Sequence, residues 1–302
     1  MKNLQIVQVD AFTTRPFSGN PCAVVLDADG LSENTMQQIA REMNLSETAF
    51  VMSSDVADFR ARYFTPSEEI PLAGHPTIAC VHALIVNGHI SYQTKTKIRL
   101  ELEAGVINVE VSDTPSGRPH ITMSQLKPQF LQSYDPVQVL PAFGLGAEDL
   151  LDGVPIMTVS TGTPQLMIPL KTFEALERAG PVNDRLAELK AAGDFFSPHL
   201  FVLRGFTERG STFARHFGLP PDTFEDPFTG SATGGMAAFL WRHQLIESPT
   251  FLAEQGHLMG RPGEALVEVV GPPDAIETVK VGGFAVVVMS AELQLPDNTH
   301  AG

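Results

Sequence analysis

Short apolar runs, and stretches in which apolar and polar positions alternate with a period of two, recur along the chain and predict strands. In the first half the segments are "LQIVQVDAF", "CAVVL", "TAFVM", "FRARYFT", "KIRLELEAGVINVEV" and "HITMSQ". The second half offers "PIMTVS", "QLMIPL", "LFVLR", "TFARHF", "ALVEVV" and the long "KVGGFAVVVMSAELQL". Helical spacing is confined to "SENTMQQIAREMN", where Ser32 can cap, to "KTFEALERA", and to "NDRLAELKAA", where Asn183 can cap. Two further helices, "IACVHALIVNGHI" and "GGMAAFLWRHQLI", are apolar nearly all round instead of along one stripe. Helices of that kind belong inside a fold.

The pattern is written twice. "PLAGHPT" (71–77) matches "PFTGSAT" (227–233) at Pro, Gly and Thr, and each leads into one of the two apolar helices. Upstream, "SGNPCAVV" (18–25) and "TGTPQLMI" (161–168) share Gly-x-Pro ahead of an apolar strand. Downstream, "LEAGVINVEV" and "AEQGHLMGRPGEALVEV" each put a Gly before a strand. Three matches in the same order point to an internal duplication. The expected fold class is α+β, with two pseudo-symmetric halves, each a strongly curved mixed β-sheet wrapped around a central buried helix. The joint falls near "SQLKPQFLQSYDPVQVLP", where prolines interrupt the pattern. The last strand has no partner in the second repeat and is expected to return to the first. The halves are then 1–128 with 283–302, and 129–282.

Composition narrows the function. The 302 residues carry a formal net charge of −15 with scattered Lys and Arg, which argues against a nucleic-acid partner. The start of the chain lacks a signal-peptide core, and the longest apolar run, "FAVVVMSA", is far too short to span a bilayer. A cytoplasmic protein with no membrane association is expected, frayed only at the final "LPDNTHAG". Cys22 and Cys80 have neither metal spacing nor a disulfide framework, so buried free thiols are expected. No two of the nine histidines stand at ligand spacing on one helix, and no metal is expected. Dinucleotide and Walker sequences are missing as well, so no cofactor is implied.

The two buried helices start with "GHPT" and "GSATGG", and the first turn of a helix has unpaired N–H groups and a partial positive charge. If the halves face each other, both starts point into one cleft, where N–H groups of Gly74, His75, Gly230 and Ser231 could hold a substrate carboxylate. Candidates for proton transfer beside them are Glu47 in "NLSETAF", His75 and Asp226. Each has a plainer reading: Glu47 as a capping or solvated carboxylate, His75 as a capping or packing residue, Asp226 as an Asp-Pro turn former. Ser231 lacks a nucleophile elbow and suits substrate hydrogen bonding better than acyl transfer.

Taken in order, "DAFTTRPFSGNPCAVV", "NLSETAFV", "FTPSEEIPLAGHPTIA", "EDPFTGSATGG" and "QGHLMGRPG" closely resemble the phenazine-biosynthesis isomerase family, PhzF-like, from the N-terminus to "GGFAVVV". The resemblance implies the diaminopimelate epimerase fold and a homodimer. It also implies a cofactor-independent isomerase acting on a small carboxylate-bearing cyclic amino acid similar to dihydro-hydroxyanthranilate. Glu47 stands where the family has its general acid/base, and His75, Asp226 and Ser231 match its other site residues. Burial is expected to raise the pKa of a carboxylic acid in such a site. Epimerases of this fold carry a thiol at each helix start, whereas Ala73 precedes Gly74 here and no cysteine occurs in 225–235. Cys80 is about a turn and a half into its helix. Two alternatives stand beside the isomerase: an amino-acid epimerase or racemase using carboxylates, and a non-catalytic small-molecule-binding protein.

Overall fold

The computed structural model describes residues 2–93, 96–220, 222 and 224–295. Of the expected frayed end, Leu295 is buried in a strand, and residues 296–302 lie outside the described residues. The chain forms two compact units, Met1–Ser124 with Gly282–Gly302, and Gln125–Val281. Each is a curved mixed sheet with few helices.

The N-terminal unit contains β1 (Lys2–Ala11), β2 (Asn20–Val25), α1 (Glu33–Met43), β3 (Glu47–Met52), β4 (Phe59–Phe64) and β5 (Glu69–Ile70). It continues with α2 (Gly74–Val86), β6 (Lys97–Leu102), β7 (Gly105–Ser112) and β8 (His120–Ser124), and it recovers the last strand of the chain, β18 (Ala285–Leu295). β1 pairs antiparallel with β2 and with β18. β2 pairs parallel with β3, across the helix α1 that connects them. β3–β4 and β4–β5 are antiparallel, β4–β6 is parallel, and β6–β7–β8 is an antiparallel meander.

The C-terminal unit contains β9 (Gln129–Tyr134), α3 (Pro136–Val139), β10 (Ile156–Ser160), β11 (Pro164–Pro169), α4 (Phe173–Arg178), α5 (Asn183–Ala192) and β12 (Ser197–Val202). After these come β13 (Thr212–Phe217), β14 (Glu225–Asp226), α6 (Gly230–Arg242), β15 (Thr250–Gln255), β16 (Gly263–Val270) and β17 (Thr278–Gly283), the last two residues of β17 being counted with the N-terminal unit. Its pairings repeat those of the first unit. β10–β11 is antiparallel, β11–β12 parallel, β12–β13 and β13–β14 antiparallel, β13–β15 parallel and β15–β16 antiparallel. β9 pairs with β10 as β18 pairs with β1.

Both central helices are buried along nearly their whole length, α2 from Gly74 to Leu84 and α6 from Gly230 to Leu240. That is why their sequences show no polar stripe. Each fully buried Leu or Phe on them, such as Leu240 or Phe239, contributes about 2 kcal/mol. The sheets are covered on their other face too. In the N-terminal unit, Ala23, Val25, Phe50 and Phe64 pack with Met36 and Ile39 of α1. In the C-terminal unit, Leu166, Ile168, Leu200, Val202, Phe213 and Phe217 pack with Ala175, Leu176 and Leu186. Strands covered on both faces read as continuous apolar runs, as "NPCAVV" does.

Several elements differ from the sequence-based expectation. Asn183 is the first helical residue of α5, and the cap position is Val182, which makes no side-chain capping bond. "KIRLELEAGVINVEV" is two strands, β6 and β7, turning at Glu103 and Ala104. The long final run divides at Phe284 into β17 and β18. β9 and β15 occupy segments where no strand was expected. Ser32 caps α1 as expected, its Oγ accepting the Thr35 N–H at 3.2 Å.

Candidate functional site

Strand periodicity decides which side chains face the central helix. In the N-terminal unit Phe50 joins the outer core, so Glu47 and Ala49, odd positions of β3, face α2. Cys22, directly beside Glu47 in the parallel pair β2–β3, faces the same way. Glu47 is the first residue of β3, not a loop residue. It meets the start of α2, where His75 is the second helical residue. Glu47 Oε2 and His75 Nε2 are 3.2 Å apart, with the two side chains 15% and 3% exposed. On the other side of the ring, His75 Nδ1 lies 2.9 Å from Asn20 Nδ2.

α2 begins without a side-chain cap, because the residue before Gly74 is Ala73, and its first turn holds no acidic residue. The helix dipole at this end is left for a ligand or a neighbouring carboxylate. Behind the pair, Tyr63 Oη and Thr77 Oγ1 are hydrogen-bonded at 2.9 Å, and Thr77 donates to the Ala73 carbonyl at 2.7 Å. Cys22 and Cys80 are free and buried. Burial pushes both thiols up, and for Cys22 the neighbouring Cys80 and Glu47 push further in the same direction. Thiols held neutral in this way are poor nucleophiles and poor bases.

The C-terminal unit repeats the arrangement with different chemistry. Ser197 opens β12 and pairs with Gln165, as Glu47 opens β3 and pairs with Cys22. Asp226 lies directly opposite His216, so both face α6, and Glu225 faces outward. The Asp226 carboxylate accepts the Thr229 hydroxyl proton. Gln255 ties this turn to the helix start, its Oε1 accepting the Thr229 N–H at 3.1 Å and its Nε2 donating to the Asp226 carbonyl at 2.7 Å. α6 starts at Gly230 with no side-chain capping bond from Thr229 and no acid in its first turn. Gln125 Nε2 donates to the Gly230 carbonyl at 2.8 Å. A Cβ on Gly234 would come within 1.8 Å of the Gln125 side chain, which accounts for a glycine inside a buried helix.

Beneath Asp226 a buried polar chain runs through Gln165, Ser197, His216 and His199. Ser197 Oγ donates to Gln165 Oε1 at 2.8 Å and lies 2.8 Å from His216 Nε2. The two rings meet Nδ1 to Nδ1 at 3.2 Å. Burial lowers the pKa of His216 to about 4, against an opposing pull from Asp226, and holds His199 well below its ordinary value. Both rings are therefore neutral. With the Ser197 proton on Gln165, His216 carries its hydrogen on Nε2 and His199 donates from Nδ1.

On the outer faces the two units carry a matching Arg–Glu pair. Arg62 is bidentate to Glu69 and reaches Glu33 at 2.9 Å. Arg215 is bidentate to Glu225, both bonds 2.8 Å, and donates to the carbonyls of Leu176, Glu177 and Ala179. These pairs tie each sheet to its outer helices.

Among the residues singled out from sequence, Glu47, Gly74 and His75 come together in the N-terminal unit. Asp226, Gly230 and Ser231 lie around the start of α6 in the C-terminal unit. Asn20, Thr229, Gln255 and Gln125 were not singled out. For Asn20 the signal was present in the repeated Gly-x-Pro motif; the others make contacts that local sequence does not encode. Among the described residues no helix is long and apolar enough to cross a membrane.

Comparison with known proteins gives a consistent result. The family model described as phenazine biosynthesis-like protein matches residues 9–291. An uncharacterized isomerase of Bacillus subtilis (strain 168) is 35% identical over 271 residues, covering 89% of this chain and 92% of that protein. Trans-2,3-dihydro-3-hydroxyanthranilate isomerase of Pseudomonas chlororaphis is 32% identical over 282 residues, covering 93% and 95%. The crystal structure of the Bacillus anthracis phenazine biosynthesis protein of the PhzF family superimposes with a TM-score of 0.86 at 33% identity, covering 98% of this chain and 100% of that one. With a match that spans nearly the whole sequence and relatives named as isomerases, the chain belongs to the PhzC-PhzF family and is an isomerase.

Proposed function

We propose that the chain moves a proton between two carbons of a small, carboxylate-bearing cyclic amino acid of the dihydro-hydroxyanthranilate type, with Glu47 as the acid/base and His75 as its partner. The observation that carries this reading is the Glu47–His75 contact of 3.2 Å at the uncapped start of α2. A mostly buried carboxylate beside an imidazole can accept a proton from one carbon and return it to another. The double bonds of the substrate shift as it does so. Nothing is oxidised or reduced, no atom is gained or lost, and Glu47 ends the cycle as it began. The α2 N-terminus favours the substrate carboxylate.

The family pattern extends the proposal to Asp226 and Ser231, for which Asp226→Asn is expected to lower kcat and Ser231→Ala to raise KM. A homodimer is proposed on the same grounds, to be checked by sedimentation equilibrium.

The decisive experiment follows trans-2,3-dihydro-3-hydroxyanthranilate in heavy water by NMR. The wild-type protein is expected to convert it with deuterium incorporated at the receiving carbon, and Glu47→Gln to slow this by roughly 10²- to 10⁴-fold. Retention of the wild-type rate by Glu47→Gln would sink the reading. Interconversion of enantiomers without a double-bond shift would replace it with epimerisation.

A further inference from the structure

The Gly-Asn-Pro turn that opens β2 has no part in the reading above, yet Asn20 is completely buried and its Nδ2 lies 2.9 Å from His75 Nδ1. An amide nitrogen can only donate, so His75 Nδ1 must accept with its lone pair. In a neutral imidazole the single N–H is then on Nε2, the nitrogen 3.2 Å from Glu47 Oε2. We infer that Asn20 is a positioning residue that fixes the tautomer of His75 and so keeps its N–H on Nε2, the nitrogen beside the Glu47 carboxylate. The inference rests on the reading of Glu47 and His75 as the proton-handling pair.

The backbone holds the amide in place. Gly19 has φ +59°, and a Cβ there would come within 2.1 Å of the Ala11 carbonyl oxygen, so the turn tolerates no side chain at that position. Asn20 pairs with Ala11 and Pro21 with Asp10 across β1–β2. The Asp10 carboxylate in turn accepts the Phe17 N–H at 2.6 Å, tying down the loop that leads in. If the amide were turned over, its oxygen would face Nδ1 and require a proton there. Nε2 would then carry a lone pair beside the Glu47 carboxylate, or the ring would take a second proton.

The duplicate unit supplies an internal contrast. Its Gly-x-Pro motif carries Thr163 in place of Asn20, and its helix start carries Ser231 in place of His75. The amide is present in the copy that has a ring to orient and missing from the copy that does not.

The test uses protein labelled with ¹⁵N-histidine, the His75 signals being identified by their loss in His75→Gln. At neutral pH the wild-type spectrum is expected to show Nδ1 unprotonated and Nε2 protonated. Asn20→Asp, nearly isosteric but unable to donate, is expected to protonate Nδ1 and to lower kcat for proton exchange by roughly 10²-fold, with KM changed less than about threefold. A wild-type His75 protonated on Nδ1, or nitrogen shifts unmoved by Asn20→Asp, overturns the inference. The wild-type spectrum decides this even if the variant fails to fold. Spectra as expected, together with full activity of Glu47→Gln, uphold the tautomer and remove the catalytic reading.

Discussion

His82 lies on the buried face of α2, 9% exposed, and burial lowers its pKa from 6.5 to about 4. Replacing it by Leu removes a group that must stay neutral in the folded protein and is free to charge once unfolded. Because the folded pKa is the lower of the two, the unfolded chain binds more protons between pH 4 and 6.5. The stabilisation from keeping this histidine neutral is complete above pH 6.5 and is lost as pH falls toward 4. At full extent the loss is about 3 kcal/mol, and at pH 5 it is already about 2 kcal/mol. His216 and His199, also held neutral by burial, add losses of the same sign in the other unit. The wild-type protein should therefore weaken markedly between pH 8 and pH 5 in urea titrations followed by circular dichroism. His82→Leu should weaken by about 2 kcal/mol less over the same interval. If both proteins lose the same stability within about 0.5 kcal/mol, the usual extrapolation error, then His82 is not a buried neutral group and the reasoning fails.

Two further outcomes test the scaffold. Gly256 has φ +83°, and a Cβ there would come within 2.3 Å of the Arg261 carbonyl oxygen and 2.4 Å of the Pro227 carbonyl oxygen. Gly256→Ala is thus expected to cost at least about 2 kcal/mol, read as a fall in Tm of about 4 °C or more; an unchanged Tm would show that this turn relaxes freely. Cys22 and Cys80, both 0% exposed with raised pKa values, should resist a thiol reagent in the native protein and both react in denaturant. Rapid native labelling of either would place it nearer the surface than described.

The order of elements was readable from sequence because strand alternation and the two all-apolar helices are properties of the sequence itself. The duplication added the return of β18, since the second repeat leaves its last strand without a partner. β9, with the sequence QFLQSY, was invisible because most of its residues are exposed and prolines flank it. Asn183 looked like a cap because its side chain suits the role, but the backbone enters the helix one residue earlier, at Val182. Glu47 could be named from its motif, but its inward direction depends on β3 beginning there and pairing with Cys22, a contact across the sheet. The roles of Thr229 and Gln255 depend on a bond spanning 26 residues, beyond any local pattern.

A duplicated gene carries its own control experiment. The bidentate Arg–Glu pair survives in both copies, at Arg62–Glu69 and Arg215–Glu225, as do the threonines that back-bond to the residue before each helix, Thr77 and Thr233. At the strand start, by contrast, one copy has Glu47 and the other Ser197. What both copies retain is what the architecture demands, and where they diverge, the shared fold accepts either side chain. Within a single chain, comparison of its two halves separates the side chains the fold requires from those it leaves free to change.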